Sequence, residues 1–178
     1  MTRFVYPVRL SPDEGGGVLV EFPDFDFAIS QGDDVADALI QARDCLEEAL
    51  AICIDDGLDI PEPSSPDGDW VTTVAPGAVI AAKAALYEAV TATAGLTKVA
   101  LAARLGLGEK EVRRMLDPRY ATKIPALERA LAALGKRLEI TVNDNPRDID
   151  DWSALAAEEK NRLRANALAH PSSSRKRA

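Results

Sequence analysis

The side chains that most often perform chemistry in proteins are scarce in this sequence, apart from carboxylates. The chain has one histidine, His170, and two cysteines, Cys45 and Cys53. If both cysteines lie on one helix, about 12 Å of rise separates them, and they cannot form a disulfide with each other. These residues offer neither a zinc site nor a catalytic triad. We therefore predict no metal site and no cofactor.

Carboxylates are abundant near the N-terminus, where they could hold magnesium ions for phosphodiester cleavage. The candidates lie in two turns and on the strand between them: Asp13, Glu14, Glu21, Asp24 and Asp26. No spacing among them predicts that they converge on one point. A simpler interpretation is that they solvate a small sheet and contact a basic partner. We therefore expect no enzymatic activity.

The charge is divided unevenly along the 178 residues, whose net charge is −8. Residues 1–69 carry 17 acidic and 3 basic side chains, a net charge of −14. Residues 70–142 carry 6 acidic and 11 basic ones, a net of +5, and residues 143–178 have a net of +1. This reversal predicts one surface for a basic partner and another for nucleic acid, although an acidic surface also serves solubility alone.

The elements that must position these charges follow from hydrophobic periodicity. Three short runs rich in β-branched and aromatic residues, at 4–10, 17–22 and 25–29, predict a three-stranded meander. A long amphipathic helix follows, with Asp34 as N-cap, Asp37 reaching back and Gly57 at its end. A proline-rich connector over 61–69 leads to a further strand at 70–74.

The second half predicts helices. An alanine-rich helix over 78–93 precedes two short helices, 98–105 and 109–116, which are separated by Gly106-Leu107-Gly108. A helix over 125–134, a strand over 137–142, another helix over 152–168 and a disordered tail complete the prediction.

The two short helices are typical of a helix-turn-helix, in which the second helix enters the major groove of DNA. We expect Val99, Ala100, Ala103 and Leu105 to face the core, and Val112 with Met115 or Leu116 to anchor the second helix. The predicted DNA-binding residues are basic: Lys98, Lys110, Arg113, Arg114, Arg119 and Lys123. Glu109 and Glu111 count against this role, and the alternative is a helical hairpin used only for dimer packing.

The composite pattern resembles a known family. The run YPVRLSPDEGGGVLVEFPDFDFAISQGDDVADALIQARDCLEEAL, followed by DGLDIPEPS, is similar to the HicB antitoxin family. The stretch LTKVALAARLGLGEKEVRRMLDPRYATKIPALERALAALGKRLEITV resembles its helix-turn-helix variant, and together they cover about residues 4–142. Two features depart from the family pattern: Phe25-Asp26-Phe27 stands where a PGC-like piece is common, and Glu109 lies on the recognition helix.

The resemblance implies an α+β chain with a truncated RNase H-like domain over residues 1–69, which binds a small basic toxin of the HicA type, an mRNA interferase. Our candidate contacts to the toxin are Glu21, Asp24, Phe25, Asp26 and Phe27, although aromatic residues on a short strand more often belong to the core. The resemblance also implies that residues 70–142 bind operator DNA as a dimer or larger assembly and repress transcription.

A different class of function stays open at this point: a stand-alone transcriptional regulator whose N-terminal domain senses a ligand or mediates assembly. No apolar run approaches the roughly 18 to 20 residues that cross a bilayer, and the first residues lack the apolar region of a signal peptide. We therefore expect a cytoplasmic protein without a membrane partner.

Overall fold

The computed structural model describes residues 4–13, 16–66 and 71–142, and these form an α+β architecture. In the described residues the strands are β1 (Tyr6–Pro12), β2 (Val18–Glu21), β3 (Ile29–Gly32) and β4 (Val71–Val74). The helices are α1 (Val35–Asp56), α2 (Ala78–Thr91), α3 (Lys98–Leu105), α4 (Glu109–Leu116) and α5 (Ile124–Ala133). Glu14, Trp70 and the helix and tail predicted beyond residue 142 lie outside the described residues.

The four strands form one antiparallel sheet in the order β3-β2-β1-β4. The predicted meander is confirmed, but its third strand begins only at Ile29, because residues 22–28 fold into turns. β4 pairs with β1, with Tyr6 opposite Val74. This strand therefore belongs to the sheet of the first half, although it follows the boundary predicted between residues 69 and 70.

Helix α1 covers one face of the sheet and has the predicted ends. The Asp34 carboxylate accepts a hydrogen bond from the Asp37 amide at 2.9 Å, and Gly57 ends the helix in the left-handed region at φ 70°. The helix begins very close to β3, since a Cβ on Gly32 would lie 2.3 Å from the backbone nitrogen of Ala38. Its apolar face, which includes Leu46 at 0% exposure, packs on the core side of the strands.

Helix α2 is shared by two hydrophobic cores. Ile80 and Ala84 pack into the core between the sheet and α1. Leu86 and Ala89 pack into a second core, which α5 supplies with Leu127, Ala130 and Leu131. Because one rigid helix contributes to both cores, the acidic and basic halves of the chain are joined through packed side chains rather than through a linker alone.

Helices α3 and α4 are joined by the predicted glycine turn. The Thr97 hydroxyl accepts from the Ala100 amide at 3.1 Å, and Gly106 ends α3 in the left-handed region at φ 65°. The predicted core face of α3 is wrong at Val99, which is 61% exposed, and at Ala103, which is also exposed, whereas Leu101 is fully buried. The reason is that α3 packs on α5 as well as on α4, which turns the buried stripe toward Leu101 and away from Val99.

The strand predicted over 137–142 is not formed in this chain. A strand requires a neighbour for its ladder of hydrogen bonds, and no strand among the described residues lies beside this segment. Ile140 is 58% exposed and Val142 is 93% exposed, whereas Leu138 packs against the second core. In the part of the chain that the structure describes, no helix is both long and apolar enough to cross a bilayer.

Candidate interaction surfaces

The face of the sheet opposite α1 carries a row of side chains that the helix leaves uncovered. Along β2, Val18 and Val20 point into the core, so Leu19 and Glu21 point to the other face. The register places Arg9 of β1 and Ile29 of β3 on either side of Glu21. Arg9, Glu21 and Ile29 therefore form one row across three strands, which lines a shallow hollow together with Asp26.

The turn after β2 separates the two aromatic residues that were predicted to contact the toxin. Phe25 is 2% exposed, and its ring centroid lies 4.9 Å from that of Tyr6. Phe27 is 54% exposed and meets the Phe25 ring edge-on, with centroids 6.0 Å apart. The prediction of Phe25 as a surface anchor is therefore wrong, because packing against Tyr6 takes its ring into the core. Phe27 keeps half of its side chain available to a partner.

The three predicted toxin-binding carboxylates have different surroundings. Asp26 is exposed, whereas Glu21 and Asp24 are half-buried. One Asp24 oxygen accepts a hydrogen bond from the Ser64 amide at 3.1 Å, so this carboxylate ties the turn to the proline-rich connector. Across the described ranges, no three His, Cys, Asp or Glu side chains are arranged to hold a metal ion.

The structure thus brings Glu21 and Asp26 to one hollow on the open face, with Phe27 next to Asp26 in the turn, and it adds Ile29, which the sequence reasoning missed. Ile29 is 57% exposed. Its signal was present in the sequence, since the alternation of a third strand in register with β2 puts Ile29 on the same face as Glu21. We define the open-face patch as Glu21, Asp26, Phe27 and Ile29.

The outer face of α4 carries three of the predicted DNA-binding residues. Lys110, Arg113 and Arg114 are all exposed, and spacings of three and four residues make them neighbours on the helix surface. Arg113 is paired with Glu109 one turn earlier, with Nη2 to Oε1 at 2.5 Å. The Arg114 guanidinium lies 5.2 Å from the centre of the Tyr120 ring. We define the basic helix face as Lys110, Arg113 and Arg114.

Three further predicted DNA contacts lie at the ends of helices or between them. Lys98 is exposed at the first position of α3, and Lys123 is exposed immediately before α5. Arg119, in the loop between α4 and α5, instead reaches back to α1. Its Nη2 lies 2.5 Å from Oε1 of Glu48, and its Nη1 bonds Asp55.

This pairing gives Arg119 a different environment from Lys98 and Lys123. The hydrogen bond to Glu48, with the charge of that residue and of Asp55, raises the pKa of Arg119. A DNA phosphate would have to displace two carboxylates from the guanidinium. The predicted phosphate contact through Arg119 is therefore incompatible with the ion pairs as they stand in this structure.

Lys83 of α2 was not singled out from the sequence, although it has the most unusual surroundings of the described basic residues. It is 1% exposed, and its Nζ donates to the Asp117 carbonyl at 2.5 Å and the Thr122 hydroxyl at 3.0 Å. A third bond, of 3.2 Å, goes to the carbonyl of Met115. Burial lowers the pKa of Lys83, against the opposing effect of the Asp117 carboxylate. The sequence signal for a buried lysine is a single Lys among small apolar residues in a predicted helix.

Comparisons with known proteins agree on one family. Residues 5–85 match the family model described as the HicB-like antitoxin of bacterial toxin–antitoxin systems. The chain is 35% identical over 137 residues to antitoxin HicB 1 of Photorhabdus laumondii, covering 77% of this chain and 86% of that protein. It is 36% identical to antitoxin HicB of Escherichia coli K12, covering 77% of this chain and 98% of that protein.

Antitoxin HicB of Pseudomonas fluorescens is 32% identical over 130 residues, which are 73% of this chain and 88% of that protein. The alignments therefore span most of each relative, well beyond the sheet and α1. The chain belongs to the HicB antitoxin family.

Proposed function

We propose that this protein is an antitoxin that binds and neutralises a small basic toxin of the HicA type, an mRNA interferase. The observation that carries the proposal is the open-face patch, in which Glu21, Asp26 and the exposed Ile29 line one hollow and the exposed Phe27 follows Asp26 in the turn. Apolar anchors bordered by charge are typical of protein interfaces. We also propose that this half is the truncated RNase H-like domain that the family resemblance implies.

Inhibition on this surface needs no chemistry from the antitoxin. A toxin that cleaves RNA must offer lysine and arginine side chains to phosphates, and carboxylates compete for the same side chains. The two exposed apolar side chains then exclude water from the contact and slow its dissociation. The toxin remains folded and is prevented from reaching its RNA.

The test is the association of the purified chain with the small basic protein encoded beside its gene. Neutralising Asp26 and Glu21, as D26N and E21Q, is expected to lower the association rate and to weaken its dependence on salt. D44N/D56N is the charge-matched control, since Asp44 and Asp56 are exposed on α1. Equal rates for wild type and D26N/E21Q would remove this patch from the toxin interface.

We further propose that α3, the glycine turn and α4 form a helix-turn-helix that binds operator DNA and represses transcription in the cytoplasm. The basic helix face supplies the contacts to base edges, and Lys98 and Lys123 contact phosphates. Glu109 weakens DNA binding by the basic helix face, because Arg113 must leave its ion pair with Glu109 before it can donate to a base.

Titration of labelled DNA from upstream of the gene tests this proposal. K110A is expected to cost about 1 to 3 kcal/mol and to relax base preference, whereas the control R129A, on the exposed side of α5, is expected to bind as wild type. E109Q is expected to bind DNA more tightly than wild type, because it frees Arg113. Equal affinity of K110A and R129A would contradict the assignment of α4 as the recognition helix.

The family resemblance implies that operator DNA is bound by a dimer. We propose that residues 137–142 form the contact between the two copies. Their alternation is that of a strand, and Ile140 and Val142 are exposed. An antiparallel pair of two copies centred on Ile140 places Leu138 opposite Val142 and Glu139 opposite Thr141, which avoids pairing like charges. I140D is expected to give a monomer in analytical ultracentrifugation, while T141N, an uncharged change on the other face of the strand, is the control. A dimer that survives I140D would refute this contact.

A further inference from the structure

We propose that Lys83 is a positioning residue for DNA recognition: its buried ammonium fixes the C-terminal end of α4 and the loop that follows it. The inference rests on the proposed DNA-binding function. It concerns a residue that cannot touch DNA itself, since 1% of Lys83 is exposed.

The contacts of Lys83 all converge on one structural feature. Met115 and Asp117 supply carbonyl oxygens at the end of α4, where backbone carbonyls lack partners within the helix. A cation at this end also interacts favourably with the helix dipole. The third acceptor, the hydroxyl of Thr122, lies just before α5. One ammonium therefore holds both ends of the α4–α5 loop.

That loop carries side chains on which the basic helix face depends. Tyr120, whose amide donates to the Asp117 carbonyl at 3.2 Å, places its ring beneath the Arg114 guanidinium. The carbonyl of Asp117 thus accepts from both Lys83 and Tyr120. Loss of the ammonium would leave the carbonyls of Met115 and Asp117 without their charged donor and would loosen the position of Tyr120 under Arg114.

The location of Lys83 on α2 explains why its hydrogen bonds hold the end of α4 in place. α2 is rigidly packed into both hydrophobic cores, so its side chains are fixed relative to the sheet and to α5. A short helix such as α4, with eight residues, has little stability of its own and takes its orientation from such contacts. The recognition helix is therefore aligned by the same helix that packs on the toxin-binding half.

The experiment compares K83M with wild type in the full chain, at a temperature where circular dichroism shows both to be folded. Methionine has a similar length but donates no hydrogen bond. We expect K83M to lose about tenfold in affinity for the upstream duplex and little for a random duplex of equal length. The slope of affinity against salt on random DNA is expected to stay unchanged, because Lys83 contacts no phosphate. The control I80V weakens the core that α2 shares with the sheet and α1, to which α4 contributes no residue.

Amide hydrogen exchange supplies a readout that does not depend on DNA. K83M is expected to exchange faster at Asp117 and Tyr120 and at the wild-type rate at Leu101 in α3. Wild-type exchange at Asp117 and Tyr120 would overturn the proposal, as would wild-type discrimination between the two duplexes by K83M or an equal loss in I80V. If K83M does not fold, the same two measurements are made on T122V, which removes one acceptor of Lys83 and keeps the lysine. If wild type itself does not discriminate, the proposed DNA-binding function fails, and exchange alone still tests the role of Lys83.

Discussion

Phe25 and Phe27 are two residues apart, yet their replacement by alanine is expected to have opposite consequences. Phe25 is 2% exposed and packs on Tyr6, so F25A removes a buried ring and costs about 3–5 kcal/mol of unfolding free energy. Phe27 is 54% exposed. Full burial of such a side chain is worth about 1.5–3 kcal/mol, so half burial makes F27A cost roughly 1 kcal/mol.

Urea denaturation converts these energies into midpoints. With a slope of about 2 kcal/mol per molar urea, F25A is expected to lower the midpoint by about 2 M and F27A by about 0.5 M. Since domains of this kind are stable by only about 5–15 kcal/mol, F25A brings the protein close to unfolding.

For toxin binding, we expect F27A to be the variant that acts directly on the interface. F27A should remain folded and dissociate faster from the toxin, while the control I40A, which truncates a 62% exposed side chain of α1, should bind as wild type. Equal midpoints for F25A and F27A would refute the assignment of the two rings to core and surface. Wild-type dissociation by F27A would remove the ring from the toxin interface.

Three further predictions concern packing, protonation and the contact between the two halves. G32A is expected to cost about 1–3 kcal/mol in urea denaturation, because its Cβ would meet the Ala38 backbone at 2.3 Å; a wild-type midpoint would contradict this close approach. Burial raises the pKa of the Cys45 and Cys53 thiols, so stability present below the ordinary thiol pKa of 9.0 is expected to be lost as pH rises above it. Alkylation at pH 8 should then be slower in folded than in urea-unfolded protein, and equal rates would refute the burial. R119A is expected to leave the salt slope of DNA binding unchanged, because the guanidinium is engaged by α1; a slope smaller by about one would assign it to a phosphate instead.

Much of the local structure could be predicted because its causes are local. The N-cap at Asp34 and the left-handed ends at Gly57 and Gly106 depend on a few neighbouring residues, and the structure confirms them. The sign change of charge along the chain likewise required only counting. The family resemblance came from the same local pieces, and the comparisons confirm it.

The errors all concern contacts between distant residues. Val99 and Leu101 differ in burial because α5, some 25 residues later, packs on α3. β4 belongs to the first half because it pairs with β1 across about 60 residues of chain. The strand predicted over 137–142 fails because the described chain offers it no neighbour.

The sequence by itself determined the charged halves, the helix ends and the candidate set of interaction residues. Only the tertiary structure decided which members of that set remain available to a partner. It put Phe25 in the core, left Phe27 at the surface and engaged Arg119 with two carboxylates of α1. The physical reason is that exposure and ion pairing depend on which distant elements approach one another, and the types and spacing of nearby residues carry little information about that.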